Sequence, residues 1–338
     1  MFSYVPQHVP GPLPLVVVLH GCGQTAAGYD HGAGWSMLAD RYGFAVLLPE
    51  QQRSNNPNGC FNWFQPGDTQ RDGGEAASIH QMVEYMIRDS GVDSSRVFVT
   101  GLSAGGAMTS VMLACYPDVF AAGAIIAGLP YGAAANVQQA LKSMYQSPPR
   151  TARHWGDLVR AAAPPPVKSW PRVSVWHGNA DQTVVPANAI ETIKQWTNVH
   201  GLAAEPSKLD SVQGHSRQVW LNDAGDEIVE SYSIPLMAHG TPLATGDAAF
   251  QCGAAGPFLL DVGISSSFHI AQFFGIIGDV IPAAKFAAPK AASRPLRPAA
   301  EPLNSARTND EANSKPGSAI DISAVISAAL AKAGLLRR

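Results

Sequence analysis

The run Arg96-Val97-Phe98-Val99-Thr100-Gly101-Leu102-Ser103-Ala104-Gly105-Gly106-Ala107-Met108 constrains this chain more than any other stretch. An apolar, β-prone segment leads into Gly-x-Ser-x-Gly, and a small-residue helical segment leads out. Strand, turn and helix with a serine at the bend is the context of a nucleophile elbow, whereas the pentapeptide alone is common and weakly specific. Gly101 and Gly105 suit such a bend, because a residue held in a strained backbone conformation has close-packed neighbours with no room for side chains.

The flanking segments supply a sheet for that elbow. Residues 14–21 (PLVVVLHG) are continuously apolar and end at glycine, the pattern of a fully buried parallel strand. A short helix over 35–42 and a second buried strand over 44–49 follow. Residues 50–72 form a long polar loop with Phe61, Trp63 and Phe64 embedded in it. Loops of that length inside a compact domain are usually functional or mobile. Residues 75–88 read as an amphipathic helix with Ile79, Met82, Val83, Met86 and Ile87 on one face. After the elbow strand come its helix, ending near Tyr116, and a strand over 121–128. Residues 131–168 read as a helix-and-loop insertion. A strand over 172–178 and a helix over 187–199 follow, then strands over 218–221 and 228–234 joined by Asp-Ala-Gly-Asp, and a last helix over 265–274. Strands alternating with helices predict a mostly parallel sheet covered on both faces.

Composition limits the alternatives. The 338 residues are 46% hydrophobic and 14% charged, enough for a sizeable core and too apolar for a disordered chain. A net charge of −3 without a basic run gives no footprint for nucleic acid or an anionic membrane. The longest strongly apolar run, residues 13–19, is too short to cross a bilayer. The opening Met-Phe-Ser-Tyr-Val-Pro carries no visible leader, so the residues alone leave a cytoplasmic protein or a removed leader open. Composition shifts near Pro282. We therefore expect a main domain over 1–281, a Pro/Ala-rich linker over 282–318 and an amphipathic helix over 319–338, docked on its own domain or used in a dimer or partner contact. The oligomeric state stays open, a dimer included.

A serine hydroxyl is a poor nucleophile and needs a base, itself oriented by a carboxylate. In an α/β-hydrolase fold these follow in the chain order Ser, acid, His. Asp181, in His177-Gly-Asn-Ala-Asp181, falls in the turn after a strand, where the acid belongs. Asp is also a common turn former and helix cap, but the extended Thr183-Val184-Val185-Pro186 that follows weakens the cap reading. Of ten histidines, His239 alone follows the last predicted strand, in Met237-Ala-His-Gly-Thr-Pro242. We expect His20 to shape the loop after the first strand and His177 to pack beneath the site. Two backbone N–H groups must also meet the developing oxyanion. Ala104 supplies one, and the loop His20-Gly21-Cys22-Gly23 supplies the other, from Cys22 or alternatively Gly23. Cys22, Cys60, Cys115 and Cys252 lack metal-ligand spacing, and no metal or cofactor is expected. Cys115 reads as a small buried hydrophobe, and a Cys22–Cys60 disulfide stays open.

With these residues in place, the chain resembles the poly(3-hydroxybutyrate) depolymerase-type esterases of the α/β-hydrolases, close to feruloyl and acetylxylan esterases. The resemblance is carried by PLVVVLHGCGQ (14–24), CFNWFQPGDTQRDGGE (60–75), VFVTGLSAGGAMTSVMLACYPDVFAAGA (97–124), VWHGNADQTVVP (175–186), MAHGTP (237–242) and FLLDVGISSSFHIAQFFG (258–275). It implies Ser103 as nucleophile, Asp181 as acid and His239 as base, favours the Cys22–Cys60 bridge, and implies a secreted or periplasmic protein acting on esters. Relatives carry further strands before Tyr4-Val5-Pro6, so one sheet edge is expected to be shortened, and uncovered or repaired another way. No polymer-binding module is recognisable after the linker. Phe61 and Trp63, with Phe64, either contact an acyl chain or anchor their loop. The leading expectation is a serine esterase of hydroxybutyrate polyesters or oligomers. A plant-wall feruloyl or acetyl esterase is the alternative, and a binding-only hydrolase fold or a peptidase is weaker.

Overall fold

In a computed structural model describing residues 1–7, 9 and 11–278, the chain runs β1 (Phe2–Tyr4), β2 (Leu13–Leu19), α1 (Ala26–Ala33), α2 (Trp35–Tyr42), β3 (Ala45–Leu48), α3 (Gly74–Asp89) and β4 (Val92–Leu102). It continues through α4 (Ala104–Cys115), β5 (Ala122–Ile126), α5 (Val137–Gln146), α6 (Ala152–Ala162), β6 (Arg172–Gly178) and α7 (Ala187–His200). It ends in β7 (Lys208–Val212), β8 (His215–Leu221), β9 (Glu227–Ile234), β10 (Thr241–Leu243), β11 (Leu259–Asp261) and α8 (Ser266–Phe273). The expected linker over 282–318 and helix over 319–338 lie outside the described residues.

The period-2 alternation of strand side chains sets the layers. In β2, Leu15, Val17 and Leu19 join one apolar cluster with α3, α4, α6 and α7, whereas Val16 and Val18 join a second with α1, α2 and α8. Every β2 residue is buried, so the strand has no polar face and reads in sequence as an unbroken apolar run. The nine-stranded sheet has the order β1-β3-β2-β4-β5-β6-β9-β8-β7. The pairs from β3 to β9 are parallel, and β1, β8 and β7 add antiparallel strands at the two ends. This is an α/β-hydrolase architecture. The N-terminal edge is finished by the three residues of β1, which pair with β3 through Phe2 opposite Leu48 and Tyr4 opposite Val46.

Two glycines allow the elbow to form. A Cβ at Gly101 would lie 2.5 Å from the Gly105 carbonyl group, and one at Gly105 would strike the carbonyl oxygens of Leu19 and His20, the latter at 2.6 Å. These obstacles are backbone atoms of α4, β2 and the turn after β2, which cannot rotate aside. Gly105→Ala is therefore expected to destabilise the fold by about 3 kcal/mol, read as a lowered midpoint in denaturant unfolding.

Candidate active site

In a parallel sheet, ligands bind beyond the carboxyl ends of the strands. Strand order brings the expected residues there in two adjacent pairs. The turn after β2 lies beside the elbow after β4, and the turn after β6 lies beside the loop after β9.

Ser103 directly follows β4 and has φ 58° and ψ −115°, a positive-φ conformation strained for a residue with a Cβ. Its N–H donates to the Ile126 carbonyl at 2.9 Å, tying the bend to the end of β5. Ala104 opens α4, so its N–H lacks an intrahelical acceptor and sits at the positive end of the helix dipole. In the neighbouring turn the Gly23 N–H donates to the Gly59 carbonyl at 3.4 Å, while no carbonyl among the described residues accepts the Cys22 N–H. That difference leaves the Cys22 N–H, rather than that of Gly23, open to an acceptor from outside the described residues.

The turn carrying Asp181 and the loop carrying His239 are stitched together by their backbones. Ala180 N–H donates to the Met237 carbonyl at 3.1 Å, Asn179 N–H to the Ile234 carbonyl at 3.0 Å, and Leu236 N–H to Asn179 Oδ1 at 2.7 Å. Gly178 has no side chain to hold Met237 away; a Cβ there would strike the Met237 carbonyl oxygen. In this frame His239 Nδ1 donates to Asp181 Oδ2 at 2.6 Å. Asp181 Oδ1 accepts the N–H groups of Thr183 at 2.8 Å and Val184 at 2.9 Å. Burial pushes the Asp181 carboxyl upward, but hydrogen bonds from His177 and His239 outweigh it and hold the group well below the usual carboxylate range. With its proton on Nδ1, His239 keeps a bare Nε2, and that buried nitrogen has no hydrogen-bond partner among the described residues. Ser103 and His239 are thus not hydrogen-bonded to each other; such contacts are often long in ligand-free sites and tighten with substrate.

His177 has a closer part than packing beneath the site. Its Nε2 lies 2.8 Å from the Val184 carbonyl and 3.3 Å from Asp181 Oδ2, so it braces the same carboxylate oxygen that His239 engages. Spacing along the strand places His177 four residues before Asp181, but nothing in the sequence shows the intervening turn folding back. His20 has both ring nitrogens occupied, Nδ1 against the Gly21 carbonyl at 2.8 Å and Nε2 accepting Gln51 N–H at 3.1 Å. Burial lowers its pKa, and the two contacts fix the neutral tautomer, a structural role rather than a proton carrier's.

The loop between β3 and α3 is tied down along its length. Cys22 and Cys60 form a disulfide. Arg71 pairs with Asp118 at 2.7 Å and donates to the Cys115 carbonyl at 2.9 Å. Phe61, Trp63 and Phe64 are buried in the cluster that also contains Ala104 and Met108, with Phe61 against the His20 ring at 5.0 Å. The aromatics therefore anchor the loop, with Phe61 packed on the residue that precedes the Gly21–Gly23 turn. Cys115 and Cys252 are free and buried. Among the described residues no cluster of His, Cys, Asp or Glu could hold a metal ion, and no helix is long and apolar enough to cross a membrane.

Comparison with known proteins agrees with this architecture. The family model described as esterase PHB depolymerase matches residues 3–210. The chain is 50% identical over 278 residues to poly(3-hydroxyalkanoate) depolymerase C of Paucimonas lemoignei, covering 82% of this chain and 67% of the relative. It is 38% identical over 250 residues to an acetylxylan esterase of Coprinopsis cinerea, covering 72% and 65%. The chain thus spans about two thirds of the length of these two relatives. It is also 38% identical to feruloyl esterase B of Neurospora crassa, covering 82% and 88%. Among solved structures, an acetyl xylan esterase from Aspergillus awamori superposes with a TM-score of 0.68 at 27% identity, covering 81% of this chain and 93% of that one. Fold and relatives together define a carboxylic ester hydrolase of the α/β-hydrolase class. The chain belongs to the PHB depolymerase esterase family.

Proposed function

We propose that this protein hydrolyses ester bonds of 3-hydroxyalkanoate polyesters or their oligomers through an acyl-enzyme on Ser103. The observation that carries the substrate class is the 50% identity to a poly(3-hydroxyalkanoate) depolymerase over 82% of the chain, against 38% for the acetylxylan and feruloyl esterases. Ser103 Oγ attacks the ester carbonyl while His239 Nε2 takes its proton. Asp181 holds the imidazole in the required tautomer and stabilises its cation. The N–H groups of Ala104 and Cys22 receive the oxyanion, and the protonated His239 returns its proton to the leaving alcohol. Water, activated by the same imidazole, then releases the acid. Phe61 and Trp63, in the loop that the disulfide ties to the Cys22 turn, supply apolar surface toward the acyl chain. No cofactor takes part in this scheme. The Cys22–Cys60 disulfide supports a secreted or periplasmic location, where such bonds persist.

A plant-wall reading has its own support, since the match to feruloyl esterase B spans 88% of that relative. An ester panel separates the two. Release of hydroxy acid from 3-hydroxybutyrate oligomers, faster than cleavage of methyl ferulate or acetylated xylan, is the expected result. Rapid cleavage of feruloyl esters with none of the oligomers would reverse the assignment.

A further inference from the structure

Residues 49–73 join β3 to α3 with no regular structure beyond the short 3₁₀ turn Pro66–Asp68, yet one carboxylate gathers their middle. Glu75, in the first turn of α3, is only 8% exposed. Its Oε1 accepts from Gln51 Nε2 at 2.5 Å and from Asn55 Nδ2 at 2.8 Å, and its Oε2 accepts the backbone N–H of Asn62 at 2.7 Å. All three partners are donors, so the site is built for an acceptor with two oxygens. Burial pushes this carboxyl up to about 7, against the pull of the three donors. A group kept in so unfavourable a place is doing more than capping a helix, a task an exposed carboxylate performs without desolvation.

What the three donors hold is the turn beside the elbow. Gln51 reaches it from one side: its side chain also donates to the Cys60 carbonyl at 2.9 Å, and its backbone N–H fixes His20 Nε2 at 3.1 Å. Asn62 reaches it from the other side, two residues from Cys60, whose sulfur is bonded to Cys22. Gly59, next to Cys60, accepts the Gly23 N–H. The residues on both sides of the Cys22 N–H are thereby fixed to one loop, and that loop is fixed to Glu75.

We infer that Glu75 is a positioning residue for the oxyanion turn, setting through Gln51, Asn62 and the disulfide where the Cys22 N–H points. This rests on the reading of Ser103 as an acyl-transfer nucleophile with Cys22 as an oxyanion donor. Oxyanion donors act through placement, and displacement by an ångström is enough to lower turnover about 100-fold. Glu75→Gln keeps the shape but offers one oxygen and one NH₂, so at least one of the three donors then faces another donor.

The test compares wild type with Glu75→Gln and Gln51→Met, the second removing one strand of the network while leaving the carboxylate and its other donors. For Glu75→Gln, kcat on p-nitrophenyl butyrate is expected to fall about 10- to 100-fold with KM little changed. Affinity for an alkyl boronate, a mimic of the tetrahedral oxyanion, should fall by the same factor. Gln51→Met should shift both in the same direction by less. Hydrogen exchange should quicken at residues 21–24 and 59–62 and not in α4. Turnover and boronate affinity within twofold of wild type in both variants, or a change in KM alone, would overturn the inference. Exchange needs no turnover, so a wild type that cleaves no ester would sink the acyl-transfer reading and still let exchange at residues 21–24 decide whether Glu75 holds the turn.

Discussion

Ser103→Ala, and separately His239→Ala, are each expected to lower ester hydrolysis by about four orders of magnitude, the serine variant with an unfolding midpoint close to wild type. The serine variant removes the atom to be acylated. On the proposed mechanism the histidine variant removes the proton acceptor, and Asp181 is engaged by two backbone N–H groups and two imidazoles. Both losses should be of similar size, because nucleophile and base act as one unit and removing either disables both. The small stability effect of Ser103→Ala follows from the structure, in which Ser103 holds its bend through a backbone contact, whereas His239→Ala removes the Nδ1 donor to the buried Asp181 carboxylate and should lower the midpoint. Truncating a residue in a positive-φ conformation to alanine leaves the strain in place, so no relief is expected either. Initial rates on p-nitrophenyl butyrate with thermal melts check both halves; a variant keeping a tenth of the activity would remove that residue from the chemistry.

Asp181→Asn should be nearly as damaging to rate, about 10³- to 10⁴-fold, for a different reason. The amide oxygen can still accept from Thr183 and Val184, so the turn persists. Its NH₂ then faces His239 Nδ1, which must become an acceptor, moving the proton to Nε2 and leaving no base toward Ser103. Stability should also change with pH in a defined way. The Asp181 carboxyl is held below its unfolded value of 3.8, so its ionised form stabilises the fold above that pH and the contribution fades as pH falls below it. Wild type should therefore melt higher than Asp181→Asn at neutral pH, with the gap closing below pH 3.8. Melts from pH 7 to pH 3 read this directly, and a gap independent of pH would contradict it.

Much of this site is legible in sequence because its parts sit at strand ends, where an apolar run stops at a glycine. The runs ending at Gly21, Gly101 and Gly178 mark three of the four loops that meet at the sheet edge, and chain order suggests the proposed roles. What escapes is whatever lacks a periodic signal. Helix α1, Ala26–Ala33, contains two glycines and no apolar stripe; its start is set by Thr25 accepting from Gly28 N–H. Strand β7, Lys208–Val212, is a polar edge strand with no buried residue, and β10 and β11 are three residues each, too short for alternation to register. Glu75 reads locally as an ordinary acidic residue at a helix start. Only the fold brings Gln51, Asn55 and Asn62 onto it from as far as 24 positions away. His177 bracing Asp181 is hidden in the same way, since a histidine at a strand end gives no hint that the next turn returns to it. The aromatics of the long loop show a choice that burial decides in part: anchoring is visible in the packing, while contact with an acyl chain belongs to the proposed function.

The central claim is that Ser103 carries an acyl group during turnover, and trapping that intermediate tests it most directly. Enzyme mixed with excess p-nitrophenyl butyrate, quenched in acid within the first turnovers and digested, should yield one peptide heavier by a single butyryl group, the one containing Ser103. The adduct should be absent from Ser103→Ala and should accumulate in wild type when deacylation is slowed at low pH. A butyryl group on any other residue, or turnover with no acylated peptide under these conditions, would contradict the account.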